Sequence, residues 1–167
     1  SSGEGNRDAL VFRGQRNTGD FYVDGVRDDV QYYRDFYNVE KIEVIKGPNA
    51  LIFGRAGSGG IFNRVRKEAN WNPKQELKFS GGSYDHKRMS LDTGYVLNDK
   101  VAFRMNGLYE HSRSHRKGQE TQRYGISPTV TIKPTNKTKI VIHAELFKDD
   151  RTADRGIPSR NGKPFKG

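Results

Sequence analysis

Cysteine is absent from the 167 residues, which excludes disulfide-stapled scaffolds, cysteine-ligated zinc sites and thiol catalysis. The redox compartment stays open. Long apolar runs are missing too: nothing approaches the ~18 consecutive apolar residues of a transmembrane helix, and the first residues carry no basic, apolar, small-residue leader pattern. Blocks of five or six like charges are lacking, so the cations do not form a nucleic-acid-binding tail. No nucleophile elbow, Ser/His/Asp order or paired-carboxylate arrangement is present, so the sequence predicts no enzyme.

What the chain does have is positive charge, glycine and alternation. Thirty Lys+Arg against 20 Asp+Glu give a formal charge of +10, a balance suited to nucleic acid, an anionic membrane surface or an acidic small ligand. The basic residues are spread among aromatics and glycines, and charge alone does not choose the partner. The 19 glycines are roughly 11% of the chain against a usual ~7%.

The pattern changes near Trp71-Asn72-Pro73. Before it, Phe21-Tyr22-Val23 runs into an Asp24-Gly25 turn. Val39 to Ile45 alternates as a half-buried strand, and Lys46-Gly47-Pro48 stops it. Asn49 to Gly54 fits one helical turn, Gly54 to Gly60 is a glycine-rich loop, and Ile61 to Val65 is a further strand. Gln31 to Tyr37 holds four aromatics in seven residues and suits either helix or loop.

After the break the chain reads as five strands of period two. One face carries Leu77 and Phe79; Met89, Leu91 and Tyr95; Val101, Phe103, Met105 and Tyr109; Tyr124, Ile126, Val130 and Ile132; Ile140, Ile142, Ala144 and Leu146. The other carries Lys78, Ser80, Arg88, Ser90, Asp92, Arg104, Asn106, Arg123, Ser127, Thr129, Thr131, His143 and Glu145. The connections at 97–100 and 134–137 are short; those over 110–121 and beyond Lys148 are long and polar. This is the pattern of an outer-membrane β-barrel, and equally of a soluble antiparallel sheet with one face on a core. Five strands cannot close a barrel, and an open edge in lipid leaves backbone groups unpaired. The membrane reading therefore predicts part of a larger protein that does not fold alone.

The stretches F-Y-V-D-G-V-R-D-D (21–29), Y-N-V-E-K-I-E-V-I-K-G-P-N-A-L-I-F-G-R (37–55) and G-S-G-G-I-F-N-R-V-R-K (57–67) resemble the TonB-dependent outer-membrane siderophore receptors. Gly81-Gly82-Ser83-Tyr84-Asp85 resembles that family's first barrel hairpin. Asp149 to Thr152 with Arg155 to Pro158 resembles its third external loop in the catecholate subgroup. The resemblance implies an α+β plug fragment followed by antiparallel transmembrane β-barrel strands, the parent being a 22-stranded plugged barrel. Residues 1–70 would be the C-terminal part of the plug, and 71–167 the first five strands, ending in an external loop. Phe62 and Arg66 depart from the family pattern.

The resemblance also implies an outer-membrane location in a Gram-negative bacterium and import of a ferric, catecholate siderophore. Its partners would be the TonB complex, reached through an N-terminal box outside this sequence, and outer-membrane lipid and lipopolysaccharide, with no nucleic acid. Iron is cargo, and no resident cofactor or metal is expected. Arg13, Arg27, Gln31, Tyr32, Tyr33, Arg34 and Tyr37 would lie at the plug apex. There guanidinium groups and phenol rings suit an anionic, aromatic ligand; packing of plug against wall explains the same aromatics equally well. Gly47, Pro48, Gly54, Arg55, Gly57, Gly59 and Gly60 would shape the plug and its gating. Neither phosphate-loop pattern fits the 54–60 glycines, and close backbone approach inside a lumen accounts for them. The alternative from another class is a basic soluble β-sheet module binding single-stranded nucleic acid.

Overall fold

The computed structural model describes residues 10–12, 15–17, 20–28, 30, 32–46, 60–115, 118–152, 159–160 and 163–164. All regular elements among them are strands: β1 (Leu10–Phe12), β2 (Gln15–Asn17), β3 (Phe21–Val23), β4 (Val26–Arg27), β5 (Val39–Ile45), β6 (Ile61–Arg66), β7 (Gln75–Gly82), β8 (His86–Asn98), β9 (Val101–Arg113), β10 (Glu120–Thr135), β11 (Thr138–His143), β12 (Leu146–Arg151), β13 (Ser159–Arg160) and β14 (Lys163–Pro164). The helical turn expected over 49–54 lies outside the described residues, and the aromatic stretch after Gln31 is irregular loop.

A small sheet runs in the order β4-β3-β6-β5. Asp24 and Gly25 both take positive φ (49° and 81°), the two-residue hairpin geometry that Asp-Gly supplies. Arg66, the departure from the family pattern, closes that turn: its backbone N–H donates to Asp24 Oδ1 at 2.8 Å and its Nε to Oδ2 at 2.6 Å. Tyr22 and Ile61 form the buried centre, with Ile45 packed on it. Strand β5 is less covered than a half-buried strand. It pairs only with β6, and Ile42 and Val44 stay exposed among the described residues.

The large sheet is antiparallel, in the order β7-β8-β9-β10, with β11 and β12 both pairing with β10. The fifth strand of the sequence reading is thus two elements in one register, Thr129 opposite His143 and Ile126 opposite Leu146. Pro128 explains the gap. Its carbonyl accepts from the Ala144 N–H (3.1 Å), but it has no N–H to return. Ser127 Oγ donates to the Ala144 carbonyl instead, at 3.2 Å. The connection expected over 110–121 is shorter than the sequence suggested, because β9 runs to Arg113 and β10 starts at Glu120. His111, Gln122 and their neighbours still pair there.

Burial decides between the two readings of the alternation. The apolar face is the exposed one, with Phe79 72% and Leu146 79% accessible. Asp92, Arg104, Glu110, Arg123, Thr129 and Thr131 are buried on the other face, and Asn106 is 0% exposed. Leaving a large apolar side chain in water forgoes roughly 1.5–3 kcal/mol. Ten such side chains would forgo more than the ~5–15 kcal/mol that holds a domain together. The inversion, apolar side out and polar side covered, is the one a wall facing lipid requires. The band from the Val101–Ile132–Ile140 row to the Met89–Tyr109–Tyr124 row spans roughly 26 Å of strand at ~3.3 Å per residue. Tilted by about 40°, that covers some 20 Å, near the height of a barrel's apolar belt. Tyr109 and Tyr124 pack at its rim with centroids 5.5 Å apart. Beyond them the row turns polar with Lys87, His111 and Gln122.

Candidate functional site at the apical loop

Residues 32–37 cross from the small sheet to the inner face of the large one. Asp28 organises the near end. Its Oδ2 accepts from Tyr32 Oη (2.8 Å), Arg34 Nε (3.1 Å) and Arg64 Nη2 (3.1 Å). Arg34 is 3% exposed. Its guanidinium lies between the rings of Phe21 and Tyr32, 4.2 and 4.3 Å from their centroids, and donates to the Tyr32 and Asp28 carbonyls. Arginine's planar fork suits it to this combination of stacking and multiple donation. Burial pushes the Tyr32 phenol above its ordinary pKa, with the Arg64 charge opposing.

The far end docks on the wall through Asp35. Its Oδ1 accepts from the Phe36 and Tyr37 N–H groups (2.7 and 3.0 Å) and from Arg88 Nη2 (2.6 Å); its Oδ2 accepts from Arg88 Nη1 (2.9 Å). Arg88 also pairs with Glu110, Glu110 with Arg123 (2.9 Å), and Arg123 with Asp149 (3.2 Å). These four wall residues stand directly opposite one another on β8, β9, β10 and β12, so they form one cross-strand row of alternating charge. Tyr33 lies over this row, with the Arg123 and Arg151 guanidinium carbons 3.9 and 4.7 Å from its ring centroid. Burial, ahead of Arg123's opposing charge, raises its pKa.

Tyr37 is the deepest of the loop's aromatics. Its ring stacks on Phe147 at 6.2 Å, and its hydroxyl donates to Glu145 Oε1 at 3.0 Å. Gly125 makes the room: a Cβ there would sit 2.7 Å from Tyr37 Cζ. Burial, reinforced by the Glu145 carboxylate, pushes the phenol far above its usual range. Lys67 Nζ donates to the Tyr37 carbonyl (2.8 Å) and pairs with Asp92 (3.0 Å). Arg104 forks onto both oxygens of the same Asp92 at 2.7 and 2.8 Å.

Between the loop and β12 opens a cleft of about 540 Å³, lined by Tyr32, Tyr33, Arg34, Asp35, Arg64, Glu145, Phe147 and Asp149. The structure therefore gathers Tyr32, Tyr33 and Arg34 at one cleft, with Arg34 engaged beneath it. Tyr37 is an anchor outside that lining, and exposed Arg27 lines a separate cleft of about 440 Å³ with Tyr32 and Arg64. Arg13, Gln31, Gly47, Pro48, Gly54, Arg55, Gly57 and Gly59 lie outside the described residues. Gly60 takes a φ of 135°, open to glycine and strained for other residues. Sequence reasoning missed Asp28, Asp35, Glu145, Phe147 and Asp149. The available signal was the inward position of Glu145, Phe147 and Asp149, two residues apart. Among the described residues no group of three His, Asp or Glu is arranged to hold a metal. His111 faces Asp85 and Glu120, and His115 packs on Tyr84.

A soluble nucleic-acid module would need free arginines beside aromatics on a wet face. Here Arg88, Arg104 and Arg123 are each held by carboxylates. Residues 1–61 match the TonB-dependent receptor plug domain. The chain is 31% identical to the catecholate siderophore receptor Fiu of Escherichia coli K12, over 91% of this chain and 20% of that protein. It is 28% identical to the ferrichrome outer membrane transporter/phage receptor of the same strain, over 95% of this chain and 21% of that protein. Among solved structures, the open form of Fiu superposes with a TM-score of 0.83, covering 90% of this chain and 23% of that one. The siderophore receptor PiuA of Acinetobacter baumannii superposes at 0.83 and 28% identity, covering 99% and 25%.

An inside-out antiparallel wall with a small mixed sheet docked on its polar face is the architecture of a plugged outer-membrane β-barrel. The chain belongs to the TonB-dependent receptor family. It spans between a fifth and a quarter of the length of the curated relatives it matches.

Proposed function

We propose that this chain is part of an outer-membrane receptor that binds a ferric siderophore of the catecholate class and imports it in a TonB-dependent manner. The observation that carries the reading is the tyrosine-lined apical cleft in a chain 31% identical to a catecholate receptor over nearly its whole length. A ferric catecholate is anionic and rimmed by arene faces. Tyr32 and Tyr33 offer rings and hydroxyls to it, and Arg27 offers charge, the role the sequence also suggests for Arg13, with Gln31 as a neutral hydrogen-bonding group. Arg34 and Tyr37 contribute by holding the loop in shape.

In this reading residues 1–70 belong to the plug and 71–167 to the barrel, with the glycines between Gly47 and Gly60 allowing the plug backbone to pack closely. Ligand shifts the plug between states only through its different affinity for them, and energised TonB supplies the work by pulling on the receptor's N-terminal box, outside this sequence. Lipopolysaccharide surrounds the barrel, iron passes as cargo without a resident cofactor, and the protein performs no catalysis. The test is uptake of radiolabelled iron by iron-starved cells carrying or lacking the full-length receptor. TonB-dependent uptake of a ferric catecholate that disappears on deletion is expected, and falls at least tenfold with Tyr32→Ala/Tyr33→Ala. Catecholate uptake unchanged by deletion overturns the proposal.

A further inference from the structure

The cross-strand charged row has Glu110 at its centre. This carboxylate is 7% exposed, and each of its oxygens takes one arginine, Arg88 on one side and Arg123 on the other. Those arginines meet opposite parts of the apical loop. Arg88 grips Asp35, which in turn holds the Phe36 and Tyr37 N–H groups. Arg123 supports the face of Tyr33. Arg88 on β8 and Arg123 on β10 flank β9, and the Glu110 carboxylate between them links the two guanidinium groups; hydrogen-bonded charge pairs in a poorly solvated site are strong and directional.

We propose that Glu110 is a positioning residue for ligand capture. Without lining the cleft itself, it fixes Tyr33 through Arg123 and Asp35 through Arg88, and so presets the loop that lines the cleft. This rests on the receptor reading above, but its structural half can be measured without any ligand. Neutralising Glu110 removes the anion the two arginines share, leaving Asp35 to hold Arg88 and Asp149 to hold Arg123; the guanidinium groups shift toward what remains, and the loop loses its support at Tyr33, at Asp35 or at both.

The experiment uses the full-length receptor, purified from outer membranes, as wild type, Glu110→Gln and Glu110→Asp. Heat-modifiable gel mobility first establishes that each variant is a folded barrel. Hydrogen–deuterium exchange is then followed over residues 32–37 without ligand, and the affinity for a ferric catecholate is measured by equilibrium binding. Glu110→Gln is expected to speed exchange of the Phe36 and Tyr37 amides at least tenfold while β8 and β9 are unchanged, and to weaken binding about tenfold. Glu110→Asp, keeping the charge, recovers most of both. A folded Glu110→Gln barrel with wild-type exchange over 32–37 overturns the proposal, as does equal loss in the Asp variant. Should Glu110→Gln fail to assemble, Asp35→Asn reads the same row from the loop side and must speed the same amides. Faster exchange in a receptor that binds no ferric catecholate in any form would sink the ligand assignment and leave the positioning role standing.

Discussion

A single hydrogen atom where other residues have a methyl group decides how the loop reaches the wall. Tyr37 can lie flat against β10 only because position 125 is glycine, and Phe147 behind the ring prevents its retreat. Gly125→Ala is expected to destabilise the plug–wall contact by about 1–3 kcal/mol, the usual cost of forcing volume into a packed site. Thermal unfolding of the full-length receptor measures it, and Tyr37→Leu in the same background should restore part of the loss. The phenol also gives a pH signature. Its folded pKa is raised above the ordinary value of 10.0 by burial and by Glu145, so the native state holds the proton more tightly than the unfolded chain. The resulting stabilisation is complete below about pH 10 and is lost as pH rises from there towards the folded value. Wild type should therefore lose stability between pH 9.5 and about 11 more steeply than Tyr37→Phe, whose difference curve is flat if the proton plays no part.

Among the elements, β10 shows how a wall tolerates a proline away from a sheet edge. The missing donor at Pro128 leaves the Ala144 carbonyl without its ladder partner, and the Ser127 hydroxyl fills the vacancy from the neighbouring position. Ser127→Ala is expected to cost about 0.5–1.5 kcal/mol, the usual net contribution of one hydrogen bond. Adding Pro128→Ala, which returns a backbone N–H to the same carbonyl, should recover most of it; thermal denaturation of the three variants is the check. The strands themselves were legible in the sequence, because a period of two appears whichever solvent the apolar face meets. Which face is buried was not legible for the same reason. Turns were read correctly at Asp24-Gly25, 97–100 and 134–137, where local residues dictate the geometry. The 114–119 connection was overestimated, because beyond the apolar band both faces of the strands are polar and alternation stops while pairing continues. Of the seven residues that the family resemblance suggested for the site, Tyr32, Tyr33 and Arg34 line one cleft, whereas Asp35, Glu145 and Asp149 acquire their contacts from strands distant in sequence.

At the scale of the whole molecule, the two faces of the wall answer to different solvents. A lysine at Leu91, in the middle of the apolar band between Leu77 and Gly107, should cost about 2–4 kcal/mol and sharply lower the amount of heat-modifiable receptor recovered from outer membranes. The same lysine at the inward-facing neighbour Ser90 should be tolerated, and equal recovery of both variants would contradict the lipid-facing assignment of the apolar side. The inner charged row has a further consequence for assembly. A lipid-facing pattern of period two penalises a slip of one residue between strands, since it would turn every side chain to the wrong solvent, yet it barely notices a slip of two. Arg88, Glu110, Arg123 and Asp149 do notice: shifted by two, Arg88 would stand opposite Leu108 or Ser112 rather than Glu110. The same carboxylates and guanidiniums that seat the loop thus act as alignment marks, rejecting the mispaired hairpins that hydrophobicity alone would accept as the barrel is built.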